Sequence, residues 1–131
     1  MANDKKLDFV FYTNSLPFDE QQDFVAHIPT SIGDTATLFR VLFENLELPG
    51  YFGFNWDALS ECLRDLSWLT KYRVVVFHHD LPRLPKDDLV TYLDILRECT
   101  GSWEPGEDHE LVVAFPEECQ SSVLGAMNVQ E

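Results

Sequence analysis

At 131 residues and 45% hydrophobic composition, the chain can build one core and is too short for two comfortable ones. Ten Phe, four Tyr and three Trp supply enough apolar area to exclude disorder as the meaning of its charge. Nine basic side chains face twenty-three acidic ones, a formal net charge of −14, and such a surface repels the phosphates of nucleic acids and anionic membranes. No direct nucleic-acid or membrane partner is expected. A cationic partner is favoured, although acidity alone also serves solubility, so the positions of the charges must decide.

From Met1 to Lys6 and on into Leu7–Tyr12 there is no apolar stretch long enough for a signal peptide or a membrane span, so the cytoplasm is the expected compartment. Leu7–Thr13 and Asp23–Ile28 mix β-branched and aromatic residues and read as short strands, separated by the turn formers Asn14, Ser15, Pro17 and Asp19. Phe39, Leu42, Phe43 and Leu46 recur at helical spacing behind a cap at Asp34 or Thr35, and this helix must end before Pro49-Gly50.

A second helix starts near the cap residue Asn55, with Leu59, Cys62, Leu63 and Leu66 as its apolar stripe. Arg73–Phe77 is an apolar run suited to a central strand buried on both faces, as parallel strands covered by helices are. Pro85, Asp87 and Asp88 open a third helix that turns Leu89, Leu93 and Leu96 inward and stops at Gly101. Leu111–Phe115 is a last strand closed by Pro116, and residues 116–131 promise a short helix or a loose tail. The alternation predicts a small α/β layer fold with a parallel sheet.

Cys62, Cys99 and Cys119 are odd in number and share no CxxC spacing, so neither a disulfide framework nor a zinc site is expected. His78-His79-Asp80 is read as a strand end where polar residues emerge, since adjacent strand residues point to opposite faces and cannot both ligate one ion without a bend. His27 and His109 read as isolated. No cofactor is expected.

The informative stretch runs from Leu48 to Leu66, an aromatic, glycine-containing loop leading straight into the second helix. Asp57, Glu61 and Asp65 recur every fourth residue and form one carboxylate row on the side away from Leu59 and Leu63. Each like-charge i, i+4 pair costs an isolated helix ~0.2–0.5 kcal/mol. A cationic partner would offset that cost; so, in part, would the helix dipole at Asp57 and screening by Arg64. Tyr51, Phe52, Phe54 and Trp56 cannot all be buried by so short a loop, and rings beside a charged patch suit a protein interface.

The run from Tyr51 to Leu63 also resembles the barstar family of ribonuclease inhibitors: an aromatic pair, Gly53, Asn55, Asp57-Ala58-Leu59, an acid at position 61, then Cys62-Leu63. More weakly, the resemblance extends from about Asp23 to Phe115, including Arg97-Glu98, and leaves 1–22 and 116–131 as extensions of one barstar-like domain spanning 1–131. It implies a three-stranded parallel sheet with packed helices, to which the amino-terminal segment could add a strand. It further implies that the second helix and its loop plug a nuclease active site. Tyr51 would lie over the enzyme's catalytic base, Asp57 and Glu61 would take phosphate positions, and Glu98 would assist from the neighbouring helix. Four positions depart from the family pattern: Glu61 replaces an aspartate, Ser60 a tryptophan, Phe52 a second tyrosine and Trp56 a leucine.

The expected partner-binding set is therefore Tyr51, Phe52, Gly53, Asn55, Trp56, Asp57, Ser60, Glu61, Arg64, Asp65 and Glu98, directed at a cationic nuclease-like toxin, with the chain as its immunity protein. Two other classes stay open. A carboxylate hydrolase could use Asp57 with Glu61, or Asp94 with Glu98, but no Gly-rich phosphate loop, Ser/His/Asp signature or HExxH supports it. An acidic binding module or nucleic-acid mimic would have a non-nuclease partner and would spread its acids along an extended face.

Overall fold

The computed structural model describes residues 8–128. The expectations for Met1–Lys6, for Leu7 and for 129–131 lie outside the described residues. Four strands, β1 (Val10–Tyr12), β2 (Phe24–Ile28), β3 (Arg73–His78) and β4 (Glu110–Pro116), form one sheet in the order β1-β4-β3-β2, and every pairing is parallel. The amino-terminal segment thus adds a fourth strand, at the free edge of β4.

The helices are α1 (Thr35–Asn45), α2 (Trp56–Asp65), α3 (Lys86–Ser102) and the short α4 (Gln120–Ala126), which follows a 3₁₀ turn at Glu117–Cys119. The caps follow local chemistry. Asp34 accepts from Thr37 N–H at 2.7 Å to start α1, and Asn55 accepts from Ala58 N–H at 2.8 Å to start α2. Pro85 stands at the N-cap of α3. Gly101 does not stop α3, which continues through Ser102; a single helical glycine costs about 1 kcal/mol, too little to end a helix that is packed elsewhere.

Period-two alternation divides the sheet into two faces. Ala26, Ile28, Val74, Val76, Leu111 and Val113 belong to the main core with α1, α2 and α3, whereas Val75, Phe77, Val112 and Ala114 form a second cluster on the other face. β3 is buried on both faces as expected, but helices cover only one of them. The reason is topological: β2, β3 and β4 succeed one another in one direction, so crossovers of a single hand leave α1, α2 and α3 on the same side.

The β1–β2 connection must return across the whole sheet. It belongs to the other face, where Phe18 meets Phe77 edge-on at 4.9 Å between ring centres and Tyr12 stacks on Phe77 at 4.5 Å. Arg73 fastens this connection, donating to the Pro17 carbonyl at 3.1 Å and to the buried Asp23 carboxylate at 3.0 Å.

The histidines depart from the sequence reading. His78 does not emerge from the sheet: it is 0% exposed, with Nδ1 2.9 Å from the Ala114 carbonyl and Nε2 2.7 Å from the Tyr92 hydroxyl. His27 is not isolated, because its Nδ1 lies 2.9 Å from His79 Nε2 on the opposite face. His109 is buried, with Nδ1 3.0 Å from the Lys71 carbonyl.

Candidate partner-binding face

The loop between α1 and α2 is built outward from the core. Phe52 N–H donates to the Pro49 carbonyl at 2.9 Å, a turn that drives the Phe52 ring inward against Phe39 and Phe43. Phe52 is only 3% exposed, while its neighbour Tyr51 is 74% exposed. Phe54 takes a left-handed backbone, φ +55°, and covers Phe52 at 5.0 Å between ring centres while remaining half-exposed itself. Gly53 allows a close approach: a Cβ there would stand 2.9 Å from the Asn55 amide nitrogen, which donates to the Gly53 carbonyl and would have to shift.

Trp56 begins α2 with its ring turned inward, 4.6 Å from Phe39 and 6.0 Å from Tyr92, and its indole N–H reaches Asp88 at 3.4 Å. Asp88 also accepts from the Thr35 hydroxyl at 2.9 Å, so one carboxylate of α3 joins the first turns of α1 and α2. Its position was legible only as a helix-start acid. Its bridging role depends on partners 53 and 32 residues away in the chain.

On α2, Leu59, Cys62 and Leu63 are buried and Asp57, Glu61 and Asp65 are exposed, giving the two faces that the spacing predicts. Tyr51 stands within the field of that acidic row. Its hydroxyl is raised above the ordinary 10, first by desolvation and then by Asp65, Cys62 and Glu61. Burial, followed by Asp65 and Glu61, likewise raises the Cys62 thiol, so it stays protonated at neutral pH.

Arg64 and Glu98 meet at 3.6 Å and tie α2 to α3, which brings Glu98 beside the row. Ser60 faces α3 instead, with its hydroxyl 4.0 Å from Cys99 Sγ. The structure thus brings Tyr51, Gly53, Asn55, Asp57, Glu61, Arg64, Asp65 and Glu98 to an exposed loop, helix face and neighbouring helix, and half-exposed Phe54 joins them. Three other members of the expected set lie differently: Ser60 faces α3, Phe52 lies behind this surface, and Trp56 packs against Phe39 and Tyr92 with its indole N–H on Asp88. Tyr51 and Phe52 look alike in sequence; only the Pro49–Phe52 turn separates them.

Among the described residues, no group of three or more His, Cys, Asp or Glu is arranged to hold a metal ion, and no helix is long and apolar enough to cross a membrane. The family model described as Barstar (barnase inhibitor) matches residues 24–115, more than half of the chain. No curated protein matches the chain.

Proposed function

The chain belongs to the Barstar (barnase inhibitor) family, whose members are inhibitors and not enzymes, and on that premise we propose that it plugs the active site of a cationic nuclease-like toxin. Family membership carries barnase-type ribonuclease inhibition in general. The finer reading is that the exposed face of α2, its preceding loop and Glu98 make the plug, as an immunity protein does against its toxin.

The observation that carries this reading is the exposed Tyr51 ring beside the ionisable row Asp57, Glu61 and Asp65. Fixed carboxylates substitute for phosphates before Arg and Lys, where charge-assisted bonds are strong. The partner's pocket desolvates them on binding, and its cations stabilise them there. An aromatic ring held at the edge of that row contributes contact area at little entropic cost. Two further features favour a plug: Arg64 orients Glu98 towards α2, and the acidic row is focused on a single helix.

The test is stopped-flow association with a barnase-type ribonuclease across a salt series. Opposed charges steer the encounter, so the association rate should fall steeply as salt rises, with nanomolar or tighter affinity at equilibrium. Steering of this kind is already established for barnase with barstar themselves. A salt-insensitive rate, or a complex indifferent to Glu61→Ala, would sink the plug.

A further inference from the structure

We propose that the cavity between Tyr72 and Trp103 receives an arginine side chain of a protein partner, as an anchoring point beyond the carboxyl end of α2. The cavity has a volume of about 300 Å³ and is lined by Tyr72, Trp103, Glu104, Pro105, His109 and Glu110. Its position is fixed by Trp103, which follows α3 directly and donates its indole N–H to the Leu63 carbonyl of α2 at 2.9 Å. That bond holds the polar edge of the indole; the ring, partly buried against the core, also meets His109 edge-to-face at 5.5 Å between ring centres.

The lining suits one kind of guest. Trp103 and half-exposed Tyr72 line it with aromatic rings, and a cation over the face of such a ring is attracted by the ring quadrupole. Glu104 and Glu110 bring negative charge to the lining, the latter while it pairs with Arg73 Nε at 3.5 Å. His109 is only 5% exposed; its Nδ1 faces the carbonyls of Lys71 and Tyr72, at 3.0 and 3.3 Å, and these can only accept. In the neutral ring Nδ1 therefore carries the proton, and Nε2 is an acceptor on a ring that lines the cavity.

A guanidinium meets this set better than an ammonium does, because it is planar, stacks on rings and offers five donors in a fixed fork. Charge points the same way: residues 104–110 contain Glu104, Glu107, Asp108 and Glu110 and no Lys or Arg. The chain's own Arg73 does not serve as the guest. Its Nε reaches Glu110 at 3.5 Å, but its Nη1 is committed to Asp23 and to the Pro17 carbonyl on the far side.

The proposal rests on the inhibitory reading only in taking the partner to be cationic, and its test needs no nuclease. The full chain is titrated with a capped Gly-Arg-Gly peptide and with its citrulline counterpart, which keeps the shape and lacks the charge. NMR follows the Trp103 indole N–H and the Tyr72 ring. The arginine peptide should give saturable shifts and the citrulline peptide should not. Tyr72→Ala and Glu104→Gln, both at exposed positions that do not endanger folding, should each weaken binding roughly two- to fivefold. Glu61→Ala should leave it unchanged. Equal responses to the two peptides, or an arginine response indifferent to both variants, would overturn the proposal. So would tighter binding of free arginine than of the peptide, which would assign the cavity to the amino acid. Failure here leaves Glu61-dependent inhibition standing, and failure of inhibition leaves this signal intact.

Discussion

His78 Nε2 lies 2.7 Å from the Tyr92 hydroxyl, in the middle of the core, while Nδ1 faces the Ala114 carbonyl at 2.9 Å. The carbonyl can only accept, so Nδ1 carries the proton and Nε2 accepts from Tyr92. The two partners satisfy a neutral imidazole completely. Burial lowers the pKa of His78 from 6.5 to about 3 and raises that of Tyr92.

This pair makes stability depend on pH in a defined direction. Because the folded pKa is depressed, His78 contributes its full share above pH 6.5, and that share is lost as pH falls from 6.5 towards 3. In that window the unfolded state binds one more proton, giving a slope of about 1.4 kcal/mol per pH unit. Urea unfolding between pH 7 and 5, above most carboxylate titration, should show a smaller slope in His78→Gln than in the parent chain. Equal slopes would mean that His78 titrates normally in the folded protein. Burial and His27 also lower the pKa of His79, so the comparison must be made as a difference between the two chains.

A second prediction concerns the close approach of Gly53 and Asn55. A methyl group at position 53 would stand 2.9 Å from the Asn55 amide nitrogen, so Gly53→Ala must displace the side chain that caps α2. Loss of a cap costs about 0.5–2 kcal/mol. Thermal unfolding should show a loss of that order. Affinity for the nuclease should fall as well, because the same cap sets the position of Asp57. A variant as stable as the parent would mean that the loop relaxes freely and that Asn55 is not held by this contact.

What the sequence made legible was whatever depends on local periodicity and local chemistry. The α2 stripe, its Asn55 cap, the opposing acidic row and the apolar run of β3 all follow from residues within a turn or two of one another. The one-sided helix layer was not legible, because it depends on the spatial order of four strands. The same holds for His78, whose partners lie 14 and 36 residues away, and for Trp103, which falls just past a helix end where no periodicity speaks. Within the candidate face, the acids could be assigned to a surface from spacing, but the aromatics could not. Their fates were divided by a turn hydrogen bond.

The acidic row yields a prediction in which stability and affinity move apart. Glu61 has a like charge four residues away on each side, so Glu61→Ala relieves two repulsions of ~0.2–0.5 kcal/mol each. Folding stability should be unchanged or slightly higher. Asp57→Ala removes one repulsion but also a favourable contact with the helix dipole, so its stability should scarcely change. Each substitution should nevertheless weaken the nuclease complex by about 2–5 kcal/mol, since it strands a desolvated cation in the partner. Calorimetry of the free chain alongside titration of the complex separates the two effects. Unfolding without loss of affinity would make these acids structural.

The adjacent rings Tyr51 and Phe52 provide the sharpest contrast. Tyr51 is 74% exposed and has little packing to lose, so Tyr51→Ala should leave the unfolding midpoint of the free chain almost unmoved. Its loss should be felt in the complex, where a ring at the edge of the acidic row no longer fills the partner's site. Phe52 is 3% exposed and packed against Phe39, Phe43 and Phe54, so Phe52→Ala opens a cavity in the support of the loop. Phe→Ala changes in cores cost about 3–5 kcal/mol, and the free chain should lose stability on that scale. Its effect on affinity should be indirect, through the positions of Tyr51 and the α2 cap, and a nuclease-saturated sample should recover part of the lost stability by linkage. Urea denaturation of both variants, with and without a barnase-type ribonuclease, distinguishes the two roles. If Tyr51→Ala proves the more destabilising of the two in the free chain, the inward turn at Pro49–Phe52 is wrong, and with it the surface proposed for binding.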